Sequence, residues 1–251
     1  MSPKLIVILT SLLFFGMLEQ LHPFFQIKAP LLHRMGGNFG LGLINTIATQ
    51  LTVVGGLTWI WQHPLQLQLP FSPPLLPVSF LLQGIIAFCV LDAYLYLWHR
   101  AMHTFGWGWR LHQWHHSDRR MNVSTAYRFH TAEVLLSNVP KLSLIALLGI
   151  SPEALMLYEC CFAASLIFHH SNWALPRGCD RVLSYLIVTP NLHRLHHSQL
   201  RSHQQYNFSS LLTVWDRWFG TWQYPVDPRQ IQLGLGRSSG SLQSGTRSSF
   251  G

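Results

Sequence analysis

Apolar runs constrain this chain more than any other feature. Residues 39–61 and 78–98 are each long enough to span a bilayer, which takes about 20 apolar residues. Residues 5–18 are also almost wholly apolar. They follow Lys4, lack a small-x-small cleavage site and lead into Glu19, Gln20 and His22, so they read as an uncleaved anchor rather than a signal peptide. Two shorter apolar segments, 134–150 and 154–168, read as a hairpin turned at Gly149, Ser151 and Pro152. Pro140 and Lys141 interrupt the first of them and predict a kink or an angled course. Only 10% of the residues are charged, against about 25% in ordinary soluble domains. A disordered or nucleic-acid-coating protein is thereby excluded.

Charge orders the segments. The net charge is +8, and eleven of the fourteen arginines lie within residues 100–229. The positive-inside rule puts the link carrying Lys28 and Arg34 in the cytoplasm. The proline-rich link with Pro64, Pro70, Pro73, Pro74 and Pro77 then falls outside, and Arg100 onward returns to the cytoplasm. Lys4 outside is a small violation. The hairpin enters and leaves on one side. Residues 180–188 read as an amphipathic interfacial helix, and residues 229–251, rich in Ser and Gly beyond 234, as a disordered tail. Cys89, Cys160, Cys161 and Cys179 form no Cys-x-x-Cys pair and read as buried small hydrophobes.

Against this low charge stand 15 histidines, twelve of them within residues 99–203. His99 and His103 form HxxxH. His112, His115 and His116 form HxxHH, and His193, His196 and His197 form a second HxxHH. Residues three and four apart share a helix face, whereas neighbours point about 100° apart. An adjacent pair such as His115 and His116 can therefore reach two different ions. Three boxes supply eight nitrogens, enough for two metals, and each lies at the cytoplasmic end of an apolar run. Imidazole suits Zn, Cu, Fe and Ni. A metal on membrane helices meets acyl chains or sterols, whose C–H bonds yield to a redox metal with O2, and that argues for iron. His22, His33 and His63 sit in N-terminal links and read as interfacial.

Asp92, Tyr96, His99 and His103 form one stripe on the third helix. An aspartate inside an apolar run is costly and usually functional. Asp92 and Tyr96 either continue the active-site face, orienting a ligand or lining a substrate channel, or make a helix–helix hydrogen bond. Glu159 is read the same way.

The segments WHRAMH (98–103), LHQWHHS (111–117), YRFHTAE (127–133), HHSNWALP (169–176), TPNLHRLHHS (189–198) and NFSSLLTVWDRWFGTW (207–222) resemble the fatty acid hydroxylase and sterol desaturase superfamily of membrane di-iron enzymes. The resemblance covers about residues 78–222. It implies an all-α membrane protein of about four transmembrane helices under a cytoplasmic histidine-rich cap. Residues 1–77 would be anchor, and residues 78–228 the catalytic domain. It implies two iron ions held by His99, His103, His112, His115, His116, His170, His193, His196 and His197, with His170 preferred to His169. His130 and Glu133 match the family's RFHxxE segment, with Thr131 where proline is usual, so His130 is a ligand or a neighbour of one. Asn172 is expected to hydrogen-bond near the site. The implied activity is O2-dependent hydroxylation of a fatty acyl, sterol or alkyl-ether lipid, with desaturation as the rival. A metal-transport protein and a zinc hydrolase fit less well. Electrons would come from a ferredoxin or b-type cytochrome docked near Arg119 and Arg120, and the host membrane would be a bacterial inner membrane, with the endoplasmic reticulum as the alternative.

Overall fold

The structure is a computed structural model that describes residues 1–26, 31–63 and 80–236. The expectations for the charges of Lys28 and Arg34, for residues 64–77 and for residues 237–251 fall outside it. Among the described residues the chain is all-helical, with three isolated β-bridges and no strand. The helices are α1 (Pro3–Leu21), α2 (Leu31–Gln62), α3 (Phe80–Thr104), α4 (Gly106–His116), α5 (Thr131–Leu148), α6 (Pro152–His170), α7 (Arg177–Leu183), α8 (Pro190–His196) and α9 (Val214–Trp218). Four stretches are long and apolar enough to cross a membrane: Pro3–Leu21, Met35–Gln62, Leu81–Thr104 and Thr131–Leu148.

Local chemistry sets the ends of these helices. Ser2 caps α1 and Ser151 caps α6, each followed by a proline whose missing N–H costs nothing in a first turn. Gly149 adopts φ 59°, the left-handed stop that releases the chain from α5 into the hairpin. The helix runs on through Pro140.

Side-chain bonds fix the direction of each helix. Glu19, near the end of α1, accepts the Asn172 N–H just beyond α6, while Lys4 at the start of α1 pairs with Glu159 in mid-α6. The two helices therefore run parallel. Helix α2 begins beside the Ser124 loop, through Asn38, and finishes at the hairpin turn, where Trp61 Nε1 donates to Ile150 O. An apolar core of Ala87, Leu91, Ile145, Leu155 and Tyr158 joins α3, α5 and α6. Leu13, Leu51 and Leu81 face outward, as lipid contact requires.

The histidine end is the inverse, with a polar interior. Arg194 is 1% exposed there. Its guanidinium donates to Asn191 Oδ1 and to the carbonyls of Ser171 and Trp173, and it lies 3.9 Å from the Phe24 ring centroid. It belongs to the interior. Two expectations change. Residues 229–236 are built against the cap: Ile231 and Leu233 bury with Met121 and Leu195, because this short stretch still carries apolar side chains. Helix α7 starts and stops earlier than residues 180–188, since Asp180 turns inward to accept from Thr189, Asn191 and Tyr224. Cys179 is exposed, and the other three cysteines are half-buried.

Candidate metal centre

Helical periodicity distributes the boxes between two clusters. His99, His103, His112, His116 and His196 form one, and His115, His170, His193 and His197 form the other. Within each, the candidate ligand atoms all lie within 4.8 Å of one another. All nine rings are buried. Helix α3 gives both of its histidines to the first cluster. In each HxxHH box the residues four apart share a cluster, and the third histidine turns to the other one. Thus α4 sends His112 and His116 one way and His115 the other, while α8 sends His193 and His197 to the second cluster and His196 to the first. The clusters abut, with the His116 and His197 rings stacked at 4.3 Å.

Outer hydrogen bonds set the tautomers. Nδ1 of His99 lies 2.7 Å from the Phe208 carbonyl, and Nδ1 of His196 lies 2.7 Å from the Tyr206 carbonyl. Nδ1 of His170 lies 2.7 Å from the Leu166 carbonyl, and Nδ1 of His112 lies 2.7 Å from Glu133 Oε1. Each of these acceptors needs the proton on Nδ1, so each Nε2 of a neutral ring carries a lone pair. The Nε2 atoms of His99 and His196 then face each other at 2.9 Å with no proton between them.

The second cluster is a closed ring of four Nε2 atoms. His115 and His170 are 3.0 Å apart, His170 and His193 2.9 Å, His193 and His197 3.0 Å, and His197 and His115 3.1 Å. An imidazole N–H points in one direction only, so protons cannot satisfy all four contacts. A cation can: at metal–nitrogen distances of about 2.0–2.1 Å, adjacent ligands at right angles stand about 3.0 Å apart. Unpartnered buried nitrogens on His103, His112 and His116 point to the same need in the first cluster. The residues fit metal ions.

Burial favours the neutral form of eight of the nine rings. It pushes His115, His116, His193 and His197 well below the ordinary imidazole value, helped by neighbouring histidines. It holds His196 at about 3. Neutral imidazole is the form that binds metal.

The remaining candidates lie around the clusters. Glu133 is buried behind His112. His130 caps α5 by accepting the Ala132 N–H and stands outside both clusters. Asp92 accepts from Leu212 N, Trp215 Nε1 and the Tyr158 hydroxyl, tying α3 to α6 and α9. Tyr96 bonds Thr221 and Arg100 and stacks on Phe219. Asn172 bonds both main-chain polar groups of Phe25. His169 is outside both clusters, with its ring 4.3 Å from that of His193. His203 bonds Ser198.

Sequence reasoning assigned no role to Asn207 and Asp216, although both lie in the matched segment 207–222. Asn207 has φ 60°, and its amide donates to Leu192 O and Gln223 O. Asp216 accepts from Phe208 N, Ser209 N and Thr221 Oγ. Together they hold the loop whose carbonyls face His99 and His196. An asparagine and an aspartate nine residues apart in one matched segment were the available signal.

A cavity of about 560 Å³ leads from the histidines into the helices. His99, His112, His115, His169, His170 and His193 stand at one end, and Val53, Leu57, Leu95, Ile145 and Phe162 line its apolar length.

Spanning helices with polyhistidine clusters at one end define a membrane-type helical protein with a site that fits metal. The fatty acid hydroxylase family profile matches residues 84–221, more than half of the chain, and the protein belongs to that family. An ornithine lipid hydroxylase of Rhizobium tropici is 30% identical over 66% of this chain and 48% of its own length. The alkylglycerol monooxygenase of Homo sapiens is 28% identical over 70% of this chain and 37% of its own. A fatty acid hydroxylase of Lecanicillium sp is 28% identical over 59% of this chain and 44% of its own. The chain thus spans less than half the length of these relatives. No solved structure matches it.

Proposed function

We propose that the protein is an O2-dependent lipid hydroxylase that holds two iron ions in the two histidine clusters. The carrying observation is the pair of facing Nε2 lone pairs of His99 and His196 at 2.9 Å. Iron supplies the redox chemistry with O2 that an unactivated C–H bond requires. The chain supplies the rest. His99, His103, His112, His116 and His196 hold one ion, and His115, His170, His193 and His197 the other. Glu133 and the carbonyls of Tyr206, Phe208 and Leu166 keep the ligand rings in the metal-binding tautomer. Asp92, Tyr96 and Asn172 position the helices and loops that carry the ligands, and His130 starts the helix that carries Glu133. The apolar cavity admits a lipid chain, excludes water and aims one C–H at the histidine end.

Relatives named hydroxylase and monooxygenase support oxygen insertion over desaturation. A fatty acyl or alkyl-ether lipid is the substrate class closest to those names. An external ferredoxin or b-type cytochrome delivers electrons at the cap, where Arg119 and Arg120 are exposed. The positive-inside rule favours a cytoplasmic cap. Charge reversal at both arginines should slow turnover with the protein donor and leave turnover with a chemical reductant unchanged.

Metal analysis combined with lipid mass spectrometry tests the reading. The expected product is heavier by one oxygen, and a product lighter by two hydrogens would instead support the desaturase. His112→Ala and His196→Ala should lose iron and activity while staying folded in detergent. Full iron and full activity in both would sink it.

A further inference from the structure

Partway along, the wall of the cavity is charged. Lys4 of α1, Lys141 of α5 and Glu159 of α6 all line it. Glu159 accepts from both lysines, one through each carboxylate oxygen. Charges inside membrane helices are expensive and mark function or pairing. Pairing accounts for one lysine and the glutamate but not for the second lysine, so the cluster keeps a net positive charge. Each ammonium has three N–H donors and spends one on Glu159. One turn before Lys141, Asn138 also lines the cavity, and its side-chain nitrogen is buried without a partner. This part of the cavity wall is rich in donors and short of acceptors.

Resting on the reading of the cavity as a lipid site, we infer that Lys4, Lys141 and Asn138 bind an anionic oxygen group of the lipid, a carboxylate or a phosphate. Its place also sets a length. Eleven residues of α6 separate Glu159 from His170, about 16 Å at 1.5 Å per residue. Eight residues of α5 separate Glu133 from Lys141, about 12 Å. The lipid is therefore oxidised roughly ten carbon–carbon bonds from its anionic group, with the intervening chain along the apolar wall.

The test measures binding of hexadecanoate, hexadecyl phosphate and methyl hexadecanoate to the full-length, metal-loaded protein in neutral detergent. Lys141→Met should weaken the anionic probes about tenfold, a charge-assisted contact's worth, and leave the methyl ester unchanged. Glu159→Gln removes the competing carboxylate and should tighten the anionic probes several-fold, the opposite of what a purely structural ion pair would give. Tighter binding of the phosphate or of the carboxylate identifies which anion the site prefers. Equal effects on acid and ester, or no effect on either, overturn the inference. Should Lys141→Met fail to fold, Lys4→Met, at a side chain 41% exposed, gives the same comparison. The two readings fail separately. Charge-sensitive binding without oxygen insertion into any lipid would remove the hydroxylase and keep the anion site. Oxygen insertion that ignores the lysines would do the reverse.

Discussion

At the scale of single residues, Glu133 shows how much of the site lies behind its ligands. Its carboxylate accepts the Nδ1–H of His112, which fixes the tautomer and orientation of the ring. Glu133→Gln keeps the shape and loses the charge. Metal affinity of the first cluster should fall about 10–100-fold by competitive chelator titration. An unchanged affinity would mean that the carboxylate only packs. Asn207 offers a second test, because a left-handed φ of 60° suits asparagine and resists most other side chains. Asn207→Ala should cost about 1–3 kcal/mol in denaturant unfolding, from strain and two lost amide bonds. The boxes themselves were legible, because 3.6-residue geometry acts over four positions. The carbonyls facing His99 and His196 were not, since Phe208 lies 109 residues from His99 in the chain. The separation of His169 from His170 was equally invisible to spacing.

At the scale of elements, the packing of α4 on α3 brings HxxxH to the first HxxHH. Gly108 makes that contact possible: a Cβ there would stand 2.8 Å from Met102 Cα. Backbone cannot yield as a flexible side chain can, so Gly108→Ala should destabilise the protein by about 1–3 kcal/mol. Metal content of the first cluster should fall as well. A normal melting temperature with full metal would show that α4 can slide. The apolar runs located the long helices but misjudged their ends. Helix α2 begins at Leu31, ahead of the run at 39, whereas α3 continues past Trp98 to Thr104, as the stripe through His99 and His103 requires. Polar ends that pack on the cap keep helical backbone where hydropathy stops. Helix α9 has five residues, too short for periodicity to declare it.

At the scale of the whole molecule, a polar interior full of neutral imidazoles makes stability depend on pH. Above about pH 6.5 these histidines are neutral both folded and unfolded, and contribute no difference. Below it the unfolded chain takes up protons that the folded rings refuse, because burial lowers the values of His115, His116, His193, His196 and His197. Stability should therefore fall as the pH drops from about 6.5 toward those folded values. Melting temperatures of metal-stripped protein in detergent should be level from pH 8 to 7 and decline from 6 to 5. A rise on acidification would contradict the buried neutral cluster. The outward leucines and the inward histidines reverse the usual arrangement of a soluble domain, and bulk composition could register both features without saying which end of the helices held which.

The alternation on α4 also limits how this segment can change over time. His115 and His116 are neighbours in the chain but serve different clusters, while His112 and His116 serve one. Adding or deleting a single residue between His112 and His115 would rotate the later pair by about 100°. One of these rings would then take the direction of the other, toward the wrong cluster, while the second would point at neither, and α8, built on the mirror allocation, could not correct it. Substitution at outward positions such as Arg110 and Trp114 is free of that penalty. Drift in descendants of this chain should accordingly appear here as exchanged side chains and never as altered length.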